Sequence, residues 1–387
     1  MQFKMVSTGD LHFGNLRIDS IAMYEKLREY FYPAATEAHL VTIGGDIYDQ
    51  LITVGSKAHV AACKFIKDLF LISSKYGTEI RIMHGTYTHD RNQLSVFKAL
   101  ALPNTRFRIV NNIDCETIKG FHHRSGYLNM DLRVGYLPDN LTYKDSKEAV
   151  NHLKKVMQVS GMSKVDVLIG HGTFEHVIPP GSGHNPPCLY TYSQFADLVT
   201  GPIVMSHIHT PSRYRNVYYC GSFERMAHGE EENKGYYRFT YDGQSWSAVF
   251  KPNTKAVKFI SIKPAENLDV AAAVKYFVDQ TEKIFGSDTG YVRVVHPSSE
   301  VRAACSKMCF KRFPDLICTT KATPKKGEDI QLSPEFTPGA YEDVKITRVN
   351  LAEHVYDFLV KQHGANIDKN KIVNEIESIL EEFDTEV

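Results

Sequence analysis

The chain has 387 residues, 43% of them apolar and 23% charged, with 45 Lys and Arg against 45 Asp and Glu. That is ordinary globular material for two or three domains. The zero net charge supplies no global field for nucleic acid, so such a role needs a local basic patch. No apolar run reaches the roughly 18 residues that a membrane span needs. The opening stretch MQFKMVSTGD has no signal core. Seven cysteines without a CxxC pair read as reduced thiols. The expectation is a cytoplasmic protein with no membrane contact.

FKMVSTGD reads as a buried first strand ending at Gly9-Asp10. SIAMYEKLREYFYPAATEA has helical spacing interrupted at Pro33, and HLVTIGGD is a second strand ending at Gly45-Asp46. SKAHVAACKFIKDLFLISSKYG is an amphipathic helix closed by Gly77. It reads equally as core packing or as a dimer surface. TEIRIMHGT, TRFRIVNN and DLRVGYLP are strands, and SKEAVNHLKKVMQVSG is a helix. KVDVLIGHG ends at His171 and GPIVMSHIH at His207 and His209; NVYYCGS and KGYYRFTYDG close a β-rich stretch. Strand and helix alternate as in a layered α/β fold.

A boundary near FKPNTKAV ends a first domain, 1–250. Residues 251–325 read as β-α-β-α-β, a small α+β domain. The Pro- and Gly-rich 326–346 is a linker, and 347–387 forms two amphipathic helices. Their apolar stripes are Leu351, Val355, Phe358 and Leu359, then Ile372, Ile376 and Leu380. They fit either a partner or their own domain.

Asp and His gather at the strand ends: Asp10 and His12 in GDLH, Asp46 and Asp49 in GDIYD, His89 and Asp90 in GTYTHD, His171 in GHG, His207 and His209 in SHIH. Each alone is an ordinary cap, turn or surface residue. Together they lie where open α/β sheets form ligand sites. Mixed carboxylate and imidazole ligands suit Mn²⁺, Fe²⁺ or Zn²⁺. A carboxylate can bridge two ions held about 3.5–4 Å apart, which orient a phosphate and activate a water.

This order of motifs resembles the calcineurin-like metallophosphoesterases, DxH, GDxxD, GNHD or GNHE, GH and GHxH, over residues 1–245. Within them the chain is similar to the SbcD-type nuclease subunits, through YYCGSFERMAHGEEENKGYYRF at 218–239. The resemblance implies a layered β-sandwich flanked by helices, a DNA-contacting capping domain and a helical tail. It implies two divalent ions, Mn²⁺ first among them. Asp10, His12, Asp46 and His209 would hold one ion, Asp46 bridging, and His171 and His207 the other. His89 would be catalytic, oriented by Asp90, with Asp49 behind the ligands. The implied function is an exonuclease on duplex DNA ends and an endonuclease on single strands or hairpins. It would act in repair, recombination or replication. Its partners would be an SbcC-type ATPase at 347–387 and a second copy in a homodimer.

The chain departs from the pattern at two places. Thr88 stands before His89 where the family has an Asn ligand, and the motif is two residues longer. Thr88 is the candidate ligand; Thr86 or a water are alternatives, and a weak second site is another. Ser206 replaces the Gly of GHxH. SRYRNVYY mixes Arg213 and Arg215 with tyrosines and could contact phosphates; KMCFKRF and KATPKK are other basic clusters. A solvated face explains each equally simply. His122-His123 and GSGHNPPC read as loops, and Cys63, Cys188 and Cys220 as packing. Two competing functions stay open. One is a small-molecule phosphodiesterase or phosphatase on this scaffold, against which Gln50 stands where phosphatases carry Arg. The other is a non-catalytic scaffold that binds DNA ends.

Overall fold

The computed structural model describes residues 2–139, 143–178, 186 and 188–323. They belong to the first of two compact units, Met1–Thr323. The second, Pro324–Val387, lies outside the described residues, and with it the expected linker and helical tail; so does most of GSGHNPPC.

The first strands are β1 (Phe3–Thr8), β2 (Leu40–Ile43), β3 (Glu79–Met83) and β4 (Phe107–Val110). A long hairpin follows, β5 (Asp114–His123) and β6 (Gly126–Leu137), then β7 (Val167–His171). Short β8 (Thr173–Phe174) and β9 (Leu189–Tyr190) pair with each other. Next come β10 (Ile203–Ser206), β11 (Ser212–Tyr214), β12 (Val217–Tyr219), β13 (Gly235–Tyr241) and β14 (Trp246–Pro252). The helices among them are α1 (Ser20–Lys26), α2 (Tyr32–Glu37), α3 (Lys57–Tyr76), the one-turn α4 (Tyr87–Asp90) and α5 (Ser146–Val159).

Two six-stranded sheets result, ordered β14-β13-β1-β2-β3-β4 and β11-β12-β10-β7-β6-β5. The period of two along each strand sorts side chains between two faces. Phe3 and Met5 of β1 share one core cluster with Val167 and Ile169 of β7 and Val204 of β10. The two sheets therefore pack face to face. Val6, Val41, Ile43, Ile80 and Ile82 turn the other way, onto α1 and α3 with Met23, Phe65, Ile66 and Leu69. Leu168, Ile203 and Met205 turn onto α5 with Ala149, Val150 and Leu153. The architecture is a layered α/β sandwich, helices outside and two sheets within, as the alternation of elements implied.

The centre of each sheet is parallel: β1 with β2, β2 with β3, β3 with β4, and β6, β10 and β12 in line with β7. Parallel strands deliver their carboxyl ends to one edge, and that placement builds the site.

Two local expectations change. Pro33 does not break its helix. Leu27–Phe31 widens into a π turn, in which the Tyr32 amide reaches back to the Leu27 carbonyl, and Pro33 then sits in the first turn of α2. There its missing N–H costs nothing. His122 and His123 are not in a loop; they end β5, and the buried His123 ring meets His39 at 5.2 Å.

Residues 258–321 form the third sheet, β15 (Lys258–Ile262), β16 (Gly290–Val295) and β17 (Leu316–Lys321), parallel throughout. The helices α6 (Val270–Phe285) and α7 (Ser299–Arg312) connect the strands and close a separate core around Phe277, Val292 and Cys305. Phe259 faces the first core, its ring stacked on Tyr291 at 4.3 Å.

Candidate metal centre

Asp10 follows β1, Asp46 follows β2, His171 is the last residue of β7, and His207 follows β10. The first two loops are strapped together: the amides of Leu11 and His12 both donate to the Asp46 carbonyl, at 2.9 Å each. The turns are tight enough to force left-handed backbone at residues with side chains. Asp10, His12 and Asp46 have φ of 49°, 50° and 50°, and His207 has 94°. Non-glycine residues rarely sit there unless the surrounding structure holds them. Four such residues at one edge of the sheets mark a place where side-chain direction outranks backbone ease.

The side chains converge as three groups with metal-ligand spacing: Asp10, His12 and His209; Asp46, His171 and His207; and His12, Asp49 and His89. His12 Nε2 lies 3.1 Å from His209 Nε2. Two imidazole nitrogens in neighbouring positions on one ion, each about 2.0–2.1 Å from it, stand about that far apart. Asp46 Oδ2 lies 3.3 Å from His171 Nε2 and 3.9 Å from His12 Nε2. One carboxylate oxygen thus faces the imidazoles of two groups. Asp10 accepts the His207 amide at 2.9 and 3.0 Å, tying the two sheets together. The donors are nitrogen and oxygen without thiolate, and Asp10, His12, Asp46 and His171 are buried. That set fits a divalent cation of the Mn²⁺, Fe²⁺ or Zn²⁺ kind.

The electrostatics agree. Burial works against the charge on Asp46, but His171 and His12 outweigh it and hold the carboxyl well below the usual range. Burial likewise opposes charge on His171; Asp46 overcomes it and pushes the imidazole up to about 10. His207 is brought down to about 3, first by burial and then by the neighbouring His171, so its ring is neutral. In the metal-free protein a proton on His171 balances Asp46, and a cation would displace it.

The loop after β3 corrects the sequence reading twice. Thr88 is exposed, on the one-turn helix α4. Thr86 is the residue at the site. Its amide donates to Asp46 Oδ1 at 2.6 Å, and its hydroxyl is 3.2 Å from both Asp46 Oδ2 and His171 Nε2. The two extra residues form the helical turn that carries Thr88 outward. Asp90 does not orient His89. Its buried carboxylate accepts the amides of Asp46, Ile47 and Gly85 at 2.9 Å and of Tyr48 at 3.1 Å. Its role is to clasp the β2 and β3 loops. His89 is oriented by the Asp49 carbonyl, which accepts from Nδ1, and its ring meets His12 edge-on at 4.8 Å.

Asp49 stands 3.1 Å from His12 Nδ1 and accepts from Asn15 at 3.1 Å. Ser206 fills a slot between the chains at Gly9 and Gly44, where a Cβ on either glycine would meet its Oγ. Arg213 lies in the edge strand β11, and Arg215 directly follows it. Arg213 covers Tyr218 at 5.1 Å, and Arg215 covers Tyr192 at 4.4 Å.

Sequence reasoning missed the support behind His209. Glu230 Oε1 lies 3.1 Å from His209 Nδ1, and Glu230 Oε2 lies 2.9 Å from the fully buried Lys234. Lys234 also donates to Glu232 at 2.6 Å and to the His209 carbonyl at 2.8 Å. Burial raises the Glu230 carboxyl, but His209 and Lys234 win and bring it down to about 2. The only sequence sign was the GEEENKG run itself. A carboxylate behind a metal-binding imidazole fixes its tautomer, and its loss typically weakens metal binding about 10- to 100-fold. Glu230→Gln is therefore expected to weaken Mn²⁺ binding by about tenfold or more in a chelator-competition titration. An unchanged affinity would remove Glu230 from the site.

No protein-family model matches the chain, and no curated protein matches it. Among solved structures, the chain is similar to TT1561 of Thermus thermophilus, at 9% identity and a TM-score of 0.35, over 65% of this chain and 99% of that one. A second crystal structure is similar at 11% identity and a TM-score of 0.38, over 65% of this chain and all of that one.

Proposed function

We propose that the protein is a metal-dependent phosphoesterase of the metallophosphoesterase type, acting as a DNA nuclease. The observation that carries the reading is the single Asp46 oxygen facing His171 and His12, with Asp10, His209 and His207 completing a group on either side. When bound, divalent ions supply Lewis acidity and a water of lowered pKa to such a centre.

The chain's own residues supply the rest. Asp46 and Asp10 set the negative charge that holds cations in place. Glu230 keeps the His209 proton on Nδ1 and leaves Nε2 bare for ligation. The Asp49 carbonyl accepts from Nδ1 of His89, so Nε2 is the ring atom through which a proton passes to the substrate. Placed at the rim beside His12, His89 protonates the leaving oxygen of a phosphodiester. The resemblance in sequence motifs supports the finer reading: cleavage of duplex ends, single strands or hairpins, in partnership with an SbcC-type ATPase bound at 347–387, as a homodimer.

The test is digestion of end-labelled duplex and hairpin DNA in Mn²⁺, beside Asp46→Ala. The expected result is cleavage by the natural chain and background alone from the variant. Hydrolysis of bis(p-nitrophenyl) phosphate without any cleavage of DNA, even with the ATPase and ATP present, would point to a small-molecule phosphodiesterase instead. Inactivity on both, with DNA ends still bound, would leave a non-catalytic scaffold.

A further inference from the structure

A cavity of about 680 Å³ opens directly beside the centre. It lies at the carboxyl ends of β3, β4 and β6, outboard of the strands that carry Asp46 and His171. Tyr87 and Arg91 come from the loop after β3, Lys98 from the segment that follows it, Asn111 and Asn112 from the end of β4, and Asp139 from the end of β6. The register fixes this placement. The His84 amide bonds the Val110 carbonyl at 2.9 Å, which joins the ends of β3 and β4. Leu137 of β6 pairs with Gly170, one residue before His171. Thr86, which bonds Asp46, directly precedes the lining residue Tyr87, so the cavity adjoins the centre.

The lining has a definite chemistry. Tyr87 is 50% exposed, and its ring lies 6.5 Å from that of His84, 25° from parallel. The His84 ring lies between two carbonyls, its Nδ1 beside that of Gly85 and its Nε2 beside that of Arg91, and its N–H donates to one of them. The floor includes the apolar Leu94 and Ile109. Among the described residues, Arg91 and Lys98 have no carboxylate partner within ion-pair distance. Pockets of about 300–1,000 Å³ with an aromatic wall and a few convergent polar groups hold molecules of nucleotide size. A planar base stacks on an aromatic ring, amides pair with its edge, and free cations meet phosphate.

We infer that this cavity receives the base of the nucleotide next to the scissile phosphate, so that the enzyme acts on a nucleotide drawn out of the stack. The inference rests on the nuclease reading above and adds the place and chemistry of substrate recognition. A base inside a duplex cannot enter a pocket at the strand ends; it must be unpaired or flipped. The amides Asn111 and Asn112 face the base edge, Tyr87 stacks, and Arg91 and Lys98 hold the flanking phosphates.

The test uses the full chain in Mn²⁺ and a short single-stranded oligonucleotide cut at one mapped position. Stacking on an aromatic residue contributes about 1–3 kcal/mol per base, or roughly five- to 150-fold in affinity. Tyr87→Ala is expected to raise KM for the oligonucleotide at least fivefold with kcat within twofold, and Tyr87→Phe to restore it. An abasic site beside the cut is expected to raise the natural chain's KM similarly and to abolish the effect of Tyr87→Ala. Because Tyr87 is exposed, a melting curve separates this effect from misfolding; Lys98→Glu provides a second exposed variant with the same expected KM rise. Unchanged KM in both variants and with the abasic strand would overturn the pocket while leaving the nuclease intact. A natural chain that cuts neither the oligonucleotide nor bis(p-nitrophenyl) phosphate would overturn the nuclease reading and this inference with it.

Discussion

Asp90→Ala should be the most destabilising single substitution at the site. Its carboxylate is fully buried and satisfies four amides, from Gly85, Asp46, Ile47 and Tyr48. A buried donor left without a partner costs about 1–3 kcal/mol. Even with partial relaxation the sum is roughly 4 kcal/mol or more, a large share of a typical stability of about 5–15 kcal/mol. The loops after β2 and β3 would separate, and Asp46 would lose its fixed direction. Urea unfolding of the variant should show a midpoint far below that of the natural chain, together with loss of Mn²⁺ binding. Asp90→Asn is expected to fall between them, since it keeps an acceptor but turns a donor toward the amides. A midpoint for Asp90→Ala equal to that of the natural chain would contradict the clasp.

His89→Gln should produce the largest effect on rate at unchanged structure. A positioned general acid contributes about 10²- to 10⁴-fold. The substitution keeps a polar side chain of similar reach and leaves the ligand sets around Asp10 and Asp46 intact. Metal content and melting temperature should hold while kcat on DNA falls by about 10²-fold or more. The leaving group supplies the discriminating readout. A p-nitrophenolate needs no proton to depart, so hydrolysis of bis(p-nitrophenyl) phosphate should be far less affected than cleavage of DNA. Equal losses on both substrates would show that His89 acts on metal or phosphate binding and not on the leaving oxygen.

Much of the site was legible because the chain writes it in a simple code. An apolar run followed by Gly-Asp or by His marks a parallel strand and its carboxyl end, and parallel strands in one layered fold share that edge. Asp10, Asp46, His171 and His207 needed nothing more. Thr86 was harder, because the choice between it and Thr88 depends on whether the intervening residues run extended or coil. They coil into α4, which no local propensity announced. Asp90 was misread because its partners are backbone amides, which every residue carries and no sequence displays. Glu230 and Lys234 were hidden because their contact with His209 spans more than twenty residues of chain. In the fold, apolar spacing revealed the core strands. The long hairpin β5–β6 was only half seen, because its outer residues alternate between exposed and half-buried positions instead of forming an apolar run.

Ser206 has a consequence for how such a chain can change over time. Its hydroxymethyl group occupies the gap that the bare backbones of Gly9 and Gly44 leave open, and these three positions belong to the ends of β1, β2 and β10. The trio works as one spacer that sets the distance between the two sheets at the centre. A methyl group gained on either glycine has nowhere to go while Ser206 keeps its hydroxymethyl group. Drift at these positions is therefore ordered: position 206 has to shrink before Gly9 or Gly44 can gain a side chain, and the reverse order meets a collision beside Asp10 or Asp46.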